Sequence, residues 1–112
     1  MDTLPIINHS YEIYKAIVDM NEQLDKRHRY SLGTSIEQSS LSFLEKLIMT
    51  KHAPKTLKGS YLIKANAELE ILRFKLRLFL DLKLANETKI FQTQSKLSEI
   101  GRMLGGWMKA TQ

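Results

Sequence analysis

Residues 68–80 read Glu-Leu-Glu-Ile-Leu-Arg-Phe-Lys-Leu-Arg-Leu-Phe-Leu, and the periodicity of this stretch decides the fold. At about 100° per residue, Leu62, Ala65, Leu69, Leu72, Leu76, Phe79 and Leu80 fall on one face of a helix. Ile63, Ala67, Ile71, Phe74 and Leu78 fall on another, roughly opposite. A helix in a small bundle buries one apolar stripe. A second stripe needs a second partner, most simply another copy of the chain, so Ile63, Ala67, Ile71, Phe74 and Leu78 are the expected oligomer interface. Arg73 and Arg77 are four apart and share one side of the helix. They fall between the stripes, where positive charge beside a subunit contact suits an anionic ligand.

Outward from this helix, two prolines, Pro5 and Pro54, sit at plausible boundaries. Helices are expected at about 10–26, 34–52, 56–84 and 88–109. Asn8 or Ser10 is placed to cap the first, accepting a bond from a first-turn N–H, and Ile13, Ile17, Met20 and Leu24 form its seam. A break is expected over Lys26–Gly33. Thr34 and Glu37 have capping-box spacing for the second helix, with Ile36, Phe43, Leu44, Leu47 and Ile48 as its apolar side and Ser39, Ser40 and Ser42 permitting close approach. Pro54 biases the residue before it away from helix and stops the second helix. The third helix, roughly 45 Å long at 1.5 Å per residue, is the spine. The fourth presents Ile90, Leu97, Ile100, Leu104, Trp107 and Met108 on one side, with Met103 at the edge. No segment alternates apolar and polar residues over strand length. The expected fold is all-α, an antiparallel up-down four-helix bundle in which residues 1–112 form one domain.

Composition bounds the function. A chain of 112 residues, 43% hydrophobic and 26% charged, supports one modest core and is not disordered in character. The lack of cysteine excludes a disulfide framework and thiolate metal sites, and fits a reducing compartment. Asp2 and the absence of a basic-then-apolar segment give no sign of a signal peptide, and no apolar run reaches the ~20 residues of a membrane span. A cytoplasmic protein without a membrane partner is expected. The net charge of +5 is uneven: residues 1–54 carry six Lys/Arg against seven Asp/Glu, residues 55–84 seven against three, and residues 85–112 four against two. A positive second half favours an acidic partner such as nucleic acid, although a solvated surface has the same composition.

The residues give no sign of catalysis. His9, His28 and His52 are far apart, with no metal-binding spacing, and there is no phosphate-binding glycine loop or nucleophile elbow. No enzyme, metal or cofactor is expected. Gly101 and Gly105 form a G-x-x-x-G on the fourth helix, where each glycine costs up to ~1 kcal/mol. Close packing of another backbone explains that cost; a loose helix end is the other explanation. Trp107 is expected as a core or interface anchor. Lys26, Arg27, Arg29 and Tyr30 place cations and an aromatic at the first break. One interpretation is a clamp on a phosphate backbone with a stacked base. The other is cations favouring a helix C-terminus, followed by a tyrosine packed inward. Arg73 and Arg77 equally divide between a ligand and structural pairing with Glu70 or a neighbouring subunit.

The same residues carry a family resemblance. Leu72-Arg73-Phe74-Lys75-Leu76-Arg77-Leu78, followed by Glu99-Ile100-Gly101-Arg102-Met103-Leu104-Gly105-Gly106-Trp107, resembles the accessory variability determinant (Avd) proteins of diversity-generating retroelements. Arg29-Tyr30-Ser31-Leu32 is similar to the wider bundle family that includes proteins encoded in intervening sequences of large-subunit ribosomal RNA genes. The resemblance implies a four-helix bundle that assembles as a pentameric barrel and binds both a reverse transcriptase and nucleic acid, RNA or DNA. By motif, Arg73 and Arg77 match the paired arginines of the first segment and Arg102 the arginine of the second. The leading expectation is therefore a non-enzymatic accessory subunit forming a ring-like homo-oligomer, with Arg73, Arg77 and Arg102 binding nucleic acid and Lys26, Arg27 and Arg29 as further contacts. The alternative is a structural or regulatory bundle of the ribosomal intervening-sequence type.

Overall fold

Pro5 starts the first helix. In the computed structural model, which describes residues 4–112, α1 runs Pro5–Asn21, so it begins and ends five residues before the expected limits. Leu4 is extended (φ −59°, ψ 141°), and proline in the first turn lacks only an N–H that has no helical partner there, with its φ already suited to the helix. Ile6 and Ile7 extend the buried seam of Ile13, Ile17 and Met20. Ser10, expected as a cap, is instead buried within the helix, its hydroxyl donating to the Ile6 carbonyl at 2.8 Å.

The expected break over 26–33 is helical. A single turn, α2 (Lys26–His28), opens with Asp25 accepting from the His28 N–H at 2.9 Å, and a π-helical turn over Arg29–Gly33 leads directly into α3 (Thr34–His52). The capping box therefore does not form. Gly33 is already helical (φ −60°, ψ −49°), so no free helix start exists for Thr34 to cap. The Thr34 hydroxyl donates back to the Arg29 carbonyl at 3.2 Å, and the Glu37 carboxylate accepts from the Asn21 amide at 2.7 Å. Gly33 is closely approached. A Cβ there would lie 3.2 Å from Leu24 Cδ1, 3.3 Å from Asn21 Cγ and 3.3 Å from the His28 carbonyl oxygen.

α3 ends at His52, and Ala53 is extended (ψ 152°) ahead of Pro54, as proline's clash with a helical predecessor dictates. Ile36, Phe43, Leu44 and Leu47 are buried, but Ile48 is 42% exposed. The buried side of α3 also takes in Ser39, Ser40 and Thr50, small side chains that bring α4 (Lys55–Asp81) close. Lys75 Nζ donates to Ser39 Oγ at 2.6 Å, Ser42 Oγ to Glu68 Oε2 at 3.3 Å, and Lys58 Nζ to the Thr50 carbonyl at 2.7 Å.

α4 has 27 residues, roughly 40 Å at 1.5 Å per residue, and matches the 44 Å long axis of the bundle. It stops at Asp81, three residues before the expected end, in a Schellman turn. Lys83 takes a left-handed φ of 54°, its N–H donates to Leu80 O at 3.1 Å, and the Leu84 N–H donates to Phe79 O at 2.9 Å. α5 (Glu87–Ala110) is capped by the Asn86 side chain, which accepts from the Lys89 N–H at 3.0 Å. Ile90, Leu97, Ile100 and Leu104 of α5 close the core against Leu62, Leu69, Leu72, Leu76 and Phe79. The four long helices form a helical bundle, with no strand among the described residues.

Candidate nucleic-acid and subunit surfaces

The periodicity of α4 places its two stripes in opposite environments. Leu62, Ala65, Leu69, Leu72, Leu76 and Phe79 are buried, whereas Ile63 is 64% exposed, Ile71 45% and Phe74 62%. Ala67 is exposed and Leu78 half-buried on the same outer face. A contiguous exposed apolar stripe on a helix marks a contact surface more often than a solvated one.

Arg73 and Arg77 flank this stripe on α4, and Arg73 reaches across to α5. Arg73 is half-buried: Nη2 donates to Ser98 Oγ at 3.2 Å, and Nη1 lies 3.6 Å from Glu70 Oε1. A Cβ on Gly101 would lie 3.3 Å from Arg73 Nη1 and 3.7 Å from Leu69 Cδ2. The bare backbone of Gly101 thus gives Arg73 its seat across α5. Arg77, one turn further along α4, is exposed, and its Nε lies 3.7 Å from Asp81 Oδ2. Arg102 follows Gly101 and stands one turn beyond Ser98, so it projects from the same side of α5; it is exposed and forms no ion pair among the described residues. Arg73 and Arg77 are one turn apart on α4, about 5–6 Å, and Arg102 follows the Gly101 backbone that Arg73 approaches. The two carboxylates partner them only through exposed pairs, which contribute about 0–1 kcal/mol and yield readily to a better anion.

Lys26, Arg27 and Arg29 belong to a different helix pair, at the connection between α1 and α3. Lys26 and Arg27 are exposed. Arg29 turns back instead: Nη2 donates to the Glu22 carbonyl at 2.8 Å and the Leu24 carbonyl at 3.3 Å, occupying acceptors that the end of α1 leaves open. Asp25, beside them, is held below the ordinary carboxylate range, first by the His28 backbone N–H and then by the His28 side chain. Tyr30 does not pack inward; it is 69% exposed.

Two of these features left no trace in the sequence. Ser98 and Gly101 hold Arg73 across a separation of more than twenty residues, and local periodicity carries no signal of such an approach. The G-x-x-x-G also divides: Gly101 is closely approached, whereas a Cβ at Gly105 or Gly106 would meet nothing within 4 Å. Trp107 is half-buried and lines an apolar groove of about 210 Å³ with Leu4, Pro5, Ile6 and Met103. Among the described residues no His, Asp or Glu cluster is placed to hold a metal, and no helix is long and apolar enough to cross a membrane.

Comparison with curated proteins gives no match. The family model described as bAvd-like matches residues 6–111, from the first buried turn of α1 to the residue that caps α5. With nearly every helical residue inside that match, the chain belongs to the bAvd-like family.

Proposed function

We propose that the chain is the non-enzymatic accessory subunit of a diversity-generating retroelement, binding the element's reverse transcriptase and its nucleic acid, template RNA or cDNA, during mutagenic retrohoming in the cytoplasm. The observation that carries this reading is the outer face of α4, where exposed Ile63, Ile71 and Phe74 lie beside the arginine seam. Membership of the bAvd-like family supports it independently. In this reading the whole chain is one antiparallel up-down domain. The pairs Lys75–Ser39, Glu68–Ser42 and Lys58–Thr50 support that arrangement, since numbers fall on α4 as they rise on α3. The stripe of Ile63, Ala67, Ile71, Phe74 and Leu78 packs on a second copy, and five copies close a ring. Symmetry then repeats Arg73, Arg77 and Arg102 around it, a multiplied positive surface for a polyanion.

The test is salt-dependent binding. Removing one phosphate-binding cation should lower the slope of log affinity against log salt by about 0.7 to 0.9. Arg73→Ala combined with Arg77→Ala should weaken RNA and DNA binding and flatten that slope, with assembly size unchanged by light scattering. Lys75→Ala, whose ammonium is engaged by Ser35 and Ser39, should leave the slope alone. Binding equal to the parent at every salt concentration would make the two arginines structural.

A further inference from the structure

Tyr30 is the most exposed of the large hydrophobic side chains among the described residues, at 69%. The backbone beneath it is nevertheless tied by several hydrogen bonds. Asp25 accepts from the His28 N–H at 2.9 Å and lies 3.0 Å from His28 Nδ1, Arg29 is tied to the Glu22 carbonyl, and the Ser31 hydroxyl donates to the Arg27 carbonyl at 2.9 Å. Asn21 Nδ2 donates to the Gly33 carbonyl at 2.8 Å, fixing the far end of the π-helical turn on which Tyr30 sits. Such turns inside helices concentrate at functional sites. Tyr11 and Tyr61 each carry a lysine over the ring, at 4.6 Å and 5.8 Å; the ring of Tyr30 carries none among the described residues. Lys26 and Arg27 stand four and three residues before Tyr30, on its side of the helix. Both are exposed and form no ion pair among the described residues.

We infer that Tyr30 is a stacking platform for a base of single-stranded nucleic acid, with Lys26 and Arg27 holding the flanking phosphates. The inference rests on the proposed nucleic-acid function and adds a second binding point on a different helix pair from the arginine seam. An aromatic ring stacks on any base because every base has a π face, and nearby cations follow the backbone. A duplex hides those faces, so only a single strand gains from the ring. The open ring, the two cations beside it and the fixed backbone beneath together match that ligand. A basic surface alone does not distinguish single strand from duplex.

The experiment is fluorescence anisotropy of the full chain with a labelled single-stranded RNA and the matching duplex, across a salt series. Tyr30→Ala should weaken single-strand binding about tenfold, leave duplex binding and the salt slope unchanged, and retain the parent's circular dichroism. Tyr30→Phe should bind like the parent, because the ring and not the hydroxyl is used. Lys26→Ala with Arg27→Ala should flatten the single-strand slope by up to ~1.4, the release expected from two phosphates. If Tyr30→Ala binds the single strand as tightly as the parent while Arg73→Ala with Arg77→Ala does not, the platform is refuted and the wider function stands. Weakened binding of single strand and duplex alike refutes stacking. A parent that binds no nucleic acid removes both readings. RNA binding retained by Tyr30→Ala together with failure to bind the reverse transcriptase would reassign the tyrosine to a protein partner.

Discussion

Leu72 and Phe74 are two residues apart on α4, yet one is 0% exposed and the other 62%. The same helix presents Leu62, Leu69, Leu76 and Phe79 to the core and Ile63, Ala67 and Ile71 to solvent. Hydrophobicity alone therefore does not say what a side chain is for. The inner stripe packs into the core between α3 and α5 and holds the fold together. The outer stripe is left largely in water, with Ile63, Ile71 and Phe74 exposed, an apolar surface whose burial would favour association. In the proposed assembly, folding and association use opposite faces of one element, about half a helical turn apart.

The sharpest way to break this contrast is to truncate one residue on each face. Leu72→Ala removes a fully buried side chain from the middle of the core and should cost about 2–5 kcal/mol, a large share of the ~5–15 kcal/mol that keeps a domain folded. Urea unfolding followed by circular dichroism measures it. A destabilisation below ~1 kcal/mol would mean that the centre of the bundle is loosely packed.

Phe74→Glu is the counterpart. A surface substitution away from the core changes protomer stability by about 0.5 kcal/mol or less, so helical content should persist. If the outer stripe is the subunit contact proposed above, association should fail, because a carboxylate would then enter a surface whose apolar burial contributes several kcal/mol at ~25 cal/mol per Å². Light scattering should show a parent oligomer and a variant monomer at micromolar concentration. A monomeric parent would end the assembly reading, and a variant that unfolds like Leu72→Ala would place Phe74 within the fold.

How much of this was legible in the sequence follows from the same contrast. The inner stripe of α4 obeys the helical period and is read directly. The outer stripe is equally legible as a pattern, because nothing else on that helix competes for the face. The segment from Lys26 to Gly33 is not. Its cations and its glycine resemble a loop, and its helical turns are tied by side chains outside the local pattern. The Asn21 amide bonds the Gly33 carbonyl and Glu37, and Gly33 rests against Leu24. Arg29 matches Lys26 and Arg27 by residue type, and only the geometry shows it spent on the end of α1. Ile48 is the opposite case, an apolar residue at acceptable spacing displaced from the core by the serines that bring α3 close to α4.

The smallest expected effect sharpens the contrast by touching neither face. Lys83 holds a left-handed φ of 54° where α4 reverses into α5, and its N–H and that of Leu84 close the Schellman turn onto Leu80 and Phe79. A side chain in that conformation costs roughly 1–2 kcal/mol, which glycine avoids at the expense of greater freedom in the unfolded chain. Lys83→Gly should therefore stabilise the protomer by about 0.5–1 kcal/mol. The urea midpoint should rise with the slope unchanged, while light scattering reports the parent's assembly size. This variant is the control that Phe74→Glu needs. If association merely followed protomer stability, Lys83→Gly would tighten the oligomer in proportion. If the two faces of α4 act separately, it raises the midpoint and leaves the association constant where it was.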